Sequence, residues 1–187
     1  GSEWLVDAAV AFARVLGVCV ASGVSLIEAM MAVSIAAILA GAAVPAMKDA
    51  LVRHRLRGGS SDLHATFYLA RSEAIRRASP VAVTPADGRD WSTGWRSFSD
   101  RNDDGRQDSG EETLVERPLA VAGMTVRPYF GALFPGTVLS FNAEGRLHRP
   151  GSRGLVLGRL VLTLDGTSRS LCFASLSMRT VDAATCD

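Results

Sequence analysis

The residues Asp100–Glu111, DRNDDGRQDSGE, have the spacing in this chain that most resembles a working site. They fit D-x-[DN]-x-[DN]-G-x5-E, with Asp100, Asn102, Asp104, Gly105, Asp108 and Glu111 in register. Arg106 falls at the position that offers a backbone carbonyl. Calcium wants about six to eight oxygens, a tight turn at the Gly and a closing carboxylate. Asp100, Asn102, Asp104, Arg106, Asp108 and Glu111 are therefore a candidate Ca2+ set, and Ca2+ is the one cofactor the sequence suggests. The flanks read as strands and not as the paired helices of an EF-hand, so a solvated acidic hairpin loop is the alternative. Catalytic patterns are missing. His54, His64 and His148 have no metal spacing, and there is no Gly-x-Ser-x-Gly elbow, P-loop or Gly-x-Gly-x-x-Gly turn. The chain reads as a non-enzyme.

Charge is balanced in bulk, formally +1, and so argues for no partner by itself. Along the chain it is uneven. Residues 98–116 hold seven acids and two Arg, net −5, whereas residues 144–180 hold six Arg and two acids, net +4. Arg146, Arg149, Arg153 and Arg169 belong to the basic stretch and are candidate phosphate contacts. A solvated face or a charge match between subunits explains them equally well.

These side chains must be positioned by a chain whose periodicity changes at Pro80. Beyond it, short runs at 81–84, 95–99, 113–119, 124–130, 137–147, 158–166 and 169–179 are separated by Gly, Pro, Asp and Asn. That pattern predicts an antiparallel β domain over 80–187. Before Pro80, Leu63, Phe67, Ala70 and Ala74 recur on one helical face. The helix should end near Ala78, because the residue before a proline avoids the helical region. Gly58-Gly59 predicts a weak point in it, or a true break with Ser60 or Ser61 capping a second helix.

Further back, residues 29–47 are 19 in number and carry no charge. Extended to Val24, the run reaches the ~20 residues that a membrane helix needs. A carboxylate near its start, Glu28, costs roughly 2.5–3.5 kcal/mol inside a bilayer on insertion scales and calls for a partner. Pro45, near its end, lacks an amide donor and loosens the helix. The architecture is then α+β: a long N-terminal helix, membrane-spanning in its first half (24–47) and amphipathic in its second (48–79), followed by an antiparallel sheet or sandwich. The basic group Lys48, Arg53, Arg55 and Arg57 follows the apolar run directly.

Gly23-Val24-Ser25-Leu26-Ile27-Glu28 resembles the processing motif of type IV prepilins, and the downstream chain resembles the GspH/FimT family of minor pilins and pseudopilins. The second likeness rests on Ala70-Arg71-Ser72-Glu73-Ala74 with Arg76, on Gly94-Trp95-Arg96-Ser97-Phe98 leading into the acidic loop, and on Phe141-Asn142 with Gly145-Arg146. The resemblance implies a leader of residues 1–23 and cleavage after Gly23 by a prepilin peptidase at the inner membrane. Val24 would become the methylated N-terminal residue. It implies assembly with other pilins or pseudopilins through the helix, a neighbour's Val24 amine neutralising Glu28, and a periplasmic β domain. Removal of the leader takes Cys19 with it and leaves Cys172 and Cys186, an even pair expected to form a disulfide in an oxidising compartment, with two free thiols as the alternative. Some members of the family bind DNA through C-terminal arginines, so a pilus-associated DNA receptor is the second function implied.

Overall fold

The computed structural model describes residues 25–119, 121–131, 138–152, 154, 156–174 and 177–186, with 42–46 described by backbone alone. The chain divides into two compact units, 1–48 and 49–187. In the first unit the described residues open helix α1, Leu26–Arg77. The Ser25 carbonyl starts it by accepting the amides of Glu28 at 3.0 Å and Ala29 at 3.2 Å. Its apolar side chains are exposed: Leu26 by 81% and Ile38 by 73%, with Met30, Met31, Val33, Ile35 and Leu39 also open. Among the described residues no helix is long and apolar enough to cross a membrane. The span read at 24–47 includes Val24 and the side chains of 42–46, Pro45 among them, which lie outside the described residues.

In the second unit α1 behaves differently. Leu56, Leu63, Phe67, Ala70 and Ala74 are buried. The helix does not break at Gly58-Gly59, contrary to one reading of the sequence. Gly59 is buried, and a Cβ there would lie 3.0 Å from Met124 Sδ, so the residue is small to admit a core side chain. Ser60 caps no new helix; its hydroxyl donates back to the Arg57 carbonyl at 3.0 Å. The helix ends in a Schellman turn: Ser79 N–H donates to Ala74 O, Ala78 N–H donates to Ile75 O, and Ala78 takes φ 48°.

Among the described residues nine strands follow: β1 (Val81–Pro85), β2 (Gly94–Ser99), β3 (Thr113–Pro118), β4 (Thr125–Phe130), β5 (Leu139–Phe141), β6 (Leu147–His148), β7 (Leu157–Leu164), β8 (Thr167–Ala174) and β9 (Ser177–Val181). They pair antiparallel into two sheets, ordered β3-β2-β1-β5-β6 and β4-β7-β8-β9. The run expected as one strand at 169–179 is a hairpin of β8 and β9, and a 3-10 turn at Trp91–Thr93 was not read from the sequence. Phe67 joins the helix to both sheets. Its ring centroid lies 4.9 Å from that of Phe173 in β8, 6.2 Å from Phe141 in β5 and 6.1 Å from Trp91. Trp95 Nε1 donates to Thr66 Oγ1 at 3.0 Å, so the second large indole in this core is hydrogen-bonded to α1.

Candidate functional site

The acidic loop leaves β2 at Asp100, which is fully buried. Its N–H donates to Pro80 O at 3.0 Å, tying the loop to the end of α1. Its carboxylate accepts Asp104 N–H at 3.1 Å and Gly105 N–H at 2.9 Å, and Gly105 sits at φ 76°, where glycine is favoured. Burial raises the Asp100 carboxyl to about 6 against the pull of those two amides. Glu111 accepts Arg101 N–H at 2.8 Å and Asp108 N–H at 3.0 Å, and Asp104 accepts Arg106 N–H at 2.7 Å. The Asn102 amide donates to Asp104 at 3.2 Å and to Asp108 at 3.0 Å. The structure thus gathers the six residues read as a calcium set into one loop, where side-chain oxygens of Asp100, Asn102, Asp104, Asp108 and Glu111 accept amides of the loop itself. Among the described residues no three His, Cys, Asp or Glu side chains form a group that could hold a metal ion.

Asp103, at φ 55°, turns its carboxylate away from that network. His148 Nε2 lies 2.8 and 3.0 Å from its two oxygens, and Gly151 N–H donates to it at 3.2 Å. The His148 side chain is nearly buried, and its Nδ1 has no partner among the described residues. Asp103 and His148 line an open cleft of about 710 Å3 together with Glu144 and Arg146. The sequence offered no signal for this pair, because its members are 45 residues apart and each lies in a different local pattern.

A second clasp explains the helix motif quoted for the family likeness. The Glu73 carboxylate accepts Arg76 Nε at 3.0 Å and Arg77 Nε at 2.7 Å. Arg77 Nη1 also reaches Glu112 Oε2 at 2.7 Å, which joins the helix end to the far side of the acidic loop. Hydrogen bonds from Arg76 and then Arg77 hold the Glu73 carboxyl at about 2, and the same bonds raise both guanidiniums.

The other sequence candidates are dispersed. Arg146 and Arg149 flank β6 in the first sheet. Arg169 is in β8 of the second, paired with Asp182 and donating to Thr180 Oγ1 at 3.3 Å. Arg153, Gly23 and Val24 lie outside the described residues. Glu28 is exposed in the first turn of α1. Cys172 in β8 and Cys186 are joined by a disulfide with Cα atoms 5.9 Å apart, closing the tail onto β8.

The family of type II transport protein GspH matches residues 60–176, from the buried half of α1 through β8. The chain belongs to the GspH family. This is a family of pilin-like structural subunits, and the helix clasp, the acidic loop and the strands β1 to β8 fall within the matched residues, whereas β9 lies just beyond them. The type IV minor pilin FimU of Pseudomonas aeruginosa shares the fold of this GspH-family chain. One crystal form is 21% identical over 70% of this chain and 90% of that one, with a TM-score of 0.50. A second form is 19% identical over 67% and 92%, with a TM-score of 0.49. None of the curated proteins matches the chain.

Proposed function

We propose that this GspH-family chain is a minor pilin or pseudopilin subunit. Its N-terminal helix anchors it in the inner membrane and packs against the helices of other subunits in a type IV pilus or secretion pseudopilus, with the β domain in the periplasm. The observation that carries this reading is the exposed apolar surface of α1, from Leu26 to Leu39, whereas the other large apolar side chains among the described residues are mostly buried. Soluble surfaces rarely leave so continuous an apolar patch uncovered. Bilayer and neighbouring helices would cover it at different stages. Glu28, exposed among these side chains, is too costly to leave unpaired in an apolar bundle. The freed amine of a neighbour's Val24 would neutralise it, and Pro45 would let the helix loosen where it leaves the bundle.

The test compares Gly23→Ala and Glu28→Ala in cells that carry a prepilin peptidase. Gly23→Ala should stay at full length while the parent chain shortens. Glu28→Ala should remain in the membrane fraction but be absent from sheared filaments or crosslinked pseudopili. Equal lengths for parent and Gly23→Ala would remove the processing step, and normal incorporation of Glu28→Ala would remove the ion-pair role. A DNA-receptor role would rest on Arg146 and Arg149, the two that flank a single strand. Their double replacement should flatten the slope of log affinity against log salt by about two units.

A further inference from the structure

A cleft of about 160 Å3 lies between α1 and the β7–β8 hairpin, inside the second unit. That space holds several waters and so admits one tetrahedral anion. Three guanidiniums line it: Arg53 and Arg57, one helical turn apart on α1, and Arg169 from β8. Among the described residues one carboxylate, Asp182, lines it with them, which gives those lining residues a net charge of +2. Arg53 and Arg57 are exposed, and neither has an ion-pair partner among the described residues. Arg169 is only 17% exposed, and its Nε is buried without a partner, although its Nη1 meets Asp182. Asp182 itself is 68% exposed and free to turn outward. Leu56, buried between the two helix arginines, fastens this stretch of α1 beside the hairpin. The hydroxyl residues Thr167 and Ser168 also line the cleft, directly preceding Arg169 on β8.

We infer that this cleft binds a phosphoryl group through Arg53, Arg57 and Arg169, either the phosphodiester of an anionic lipid headgroup or free phosphate. Guanidinium groups suit the task, because each stays charged and presents paired donors to phosphate oxygens. The lipid source rests on the anchored reading proposed above. Arg53 and Arg57 are only six and ten residues beyond Met47, the end of the uncharged run, so an anchored chain keeps them close to the headgroups. Each arginine near an anionic surface contributes about 1 kcal/mol, or about fivefold in affinity. Asp182 competes with the ligand for Arg169.

The test is calorimetric titration of the full chain in neutral detergent with short-chain phosphatidylglycerol, short-chain phosphatidylcholine and inorganic phosphate. Phosphatidylglycerol or phosphate should bind, with phosphatidylcholine weaker than either. Arg53→Gln with Arg57→Gln should weaken binding about 25-fold, and Asp182→Asn should tighten it a few-fold. All three side chains are exposed, and an unchanged thermal midpoint checks that the variants fold. Tighter binding of phosphatidylglycerol identifies a headgroup site; phosphate binding at least as tightly identifies a free-phosphate site. Absence of binding by both anions, or an affinity that neither set of variants moves, overturns the inference. Carbonate extraction of the same chain separates the two readings. A chain released from membranes that still binds phosphate loses the anchor and keeps the cleft, whereas a retained chain that binds neither anion loses the cleft alone.

Discussion

Helix α1 contains two regions of opposite character. From Leu26 to Leu39 the large apolar side chains are exposed, whereas Leu56, Leu63, Phe67, Ala70 and Ala74 are sealed beneath the sheets. Both stretches are apolar and both are helical. They differ in what completes them. The second carries its apolar residues as a stripe at 63, 67, 70 and 74, and the same chain supplies the covering surface in Trp91, Phe141 and Phe173. The first is apolar all round, so no single face of one domain could cover it. In the anchored, assembled subunit proposed above, lipid or other helices would supply its complement. One element thus buries its apolar side chains over one half and exposes them over the other.

The two regions differ most in energy at Phe67. Phe67→Ala should lower the unfolding free energy of the β domain by about 3–5 kcal/mol, because the ring touches both sheets and leaves a cavity. Ile38→Ala should change the same quantity by less than about 0.5 kcal/mol, since the side chain is already open. Urea unfolding followed by tryptophan fluorescence reads both, as Trp91 and Trp95 are core residues. Equal losses at the two positions would show that the regions are not energetically distinct.

The contrast was partly legible in the sequence, for a physical reason. Helical and strand periodicities are local, so Leu63, Phe67, Ala70 and Ala74, together with most of the strands, could be read from spacing alone. Features that depend on a distant partner could not. Gly58-Gly59 looks like a breaker until Met124 is seen pressing on Gly59. The Asp103–His148 contact has no local trace. The acidic loop was visible, because Asp, Asn and Gly at those intervals bring oxygens inward. Which amides of the loop those oxygens accept from was not, since spacing does not assign the pairs. The division into β8 and β9 was hidden because residues 169–179 contain no Gly, Pro, Asp or Asn to mark a boundary.

The disulfide holds the end of the β domain, remote in sequence from the exposed stretch of α1. Cys172 and Cys186 enclose a separation of 14 residues, for which loop-closure entropy stabilises the oxidised form by about 3 kcal/mol. Reduction should lower the stability of the β domain by up to that amount, while membrane partitioning of the chain stays the same. A thiol titration of the cleaved, unfolded chain should find none free. Two titratable thiols would remove the cross-link from this account.

Protonation gives the smallest and most detailed test, because the second region carries two carboxyls shifted in opposite directions. Asp100, raised to about 6 by burial, binds more protons folded than unfolded between pH 3.8 and 6. Its contribution therefore falls as pH rises through that window, by on the order of 2 kcal/mol, and the loss persists above it. Glu73, held at about 2 by Arg76 and Arg77, contributes above pH 4.5 and loses that contribution as pH falls towards 2. The clasp is near the surface and screened, so its share should stay under about 1 kcal/mol. Taken together, these two groups place a maximum of stability near pH 4. Unfolding across pH 2–7 should show it. Asp100→Asn should flatten the decline on the upper side, though it loses one of the two amide bonds. Glu73→Gln should flatten the rise on the lower side and leave the upper side intact. A parent curve that climbs steadily from pH 4 to 6 would mean that Asp100 ionises without cost. The acidic loop would then be more open to water than the burial of Asp100 implies.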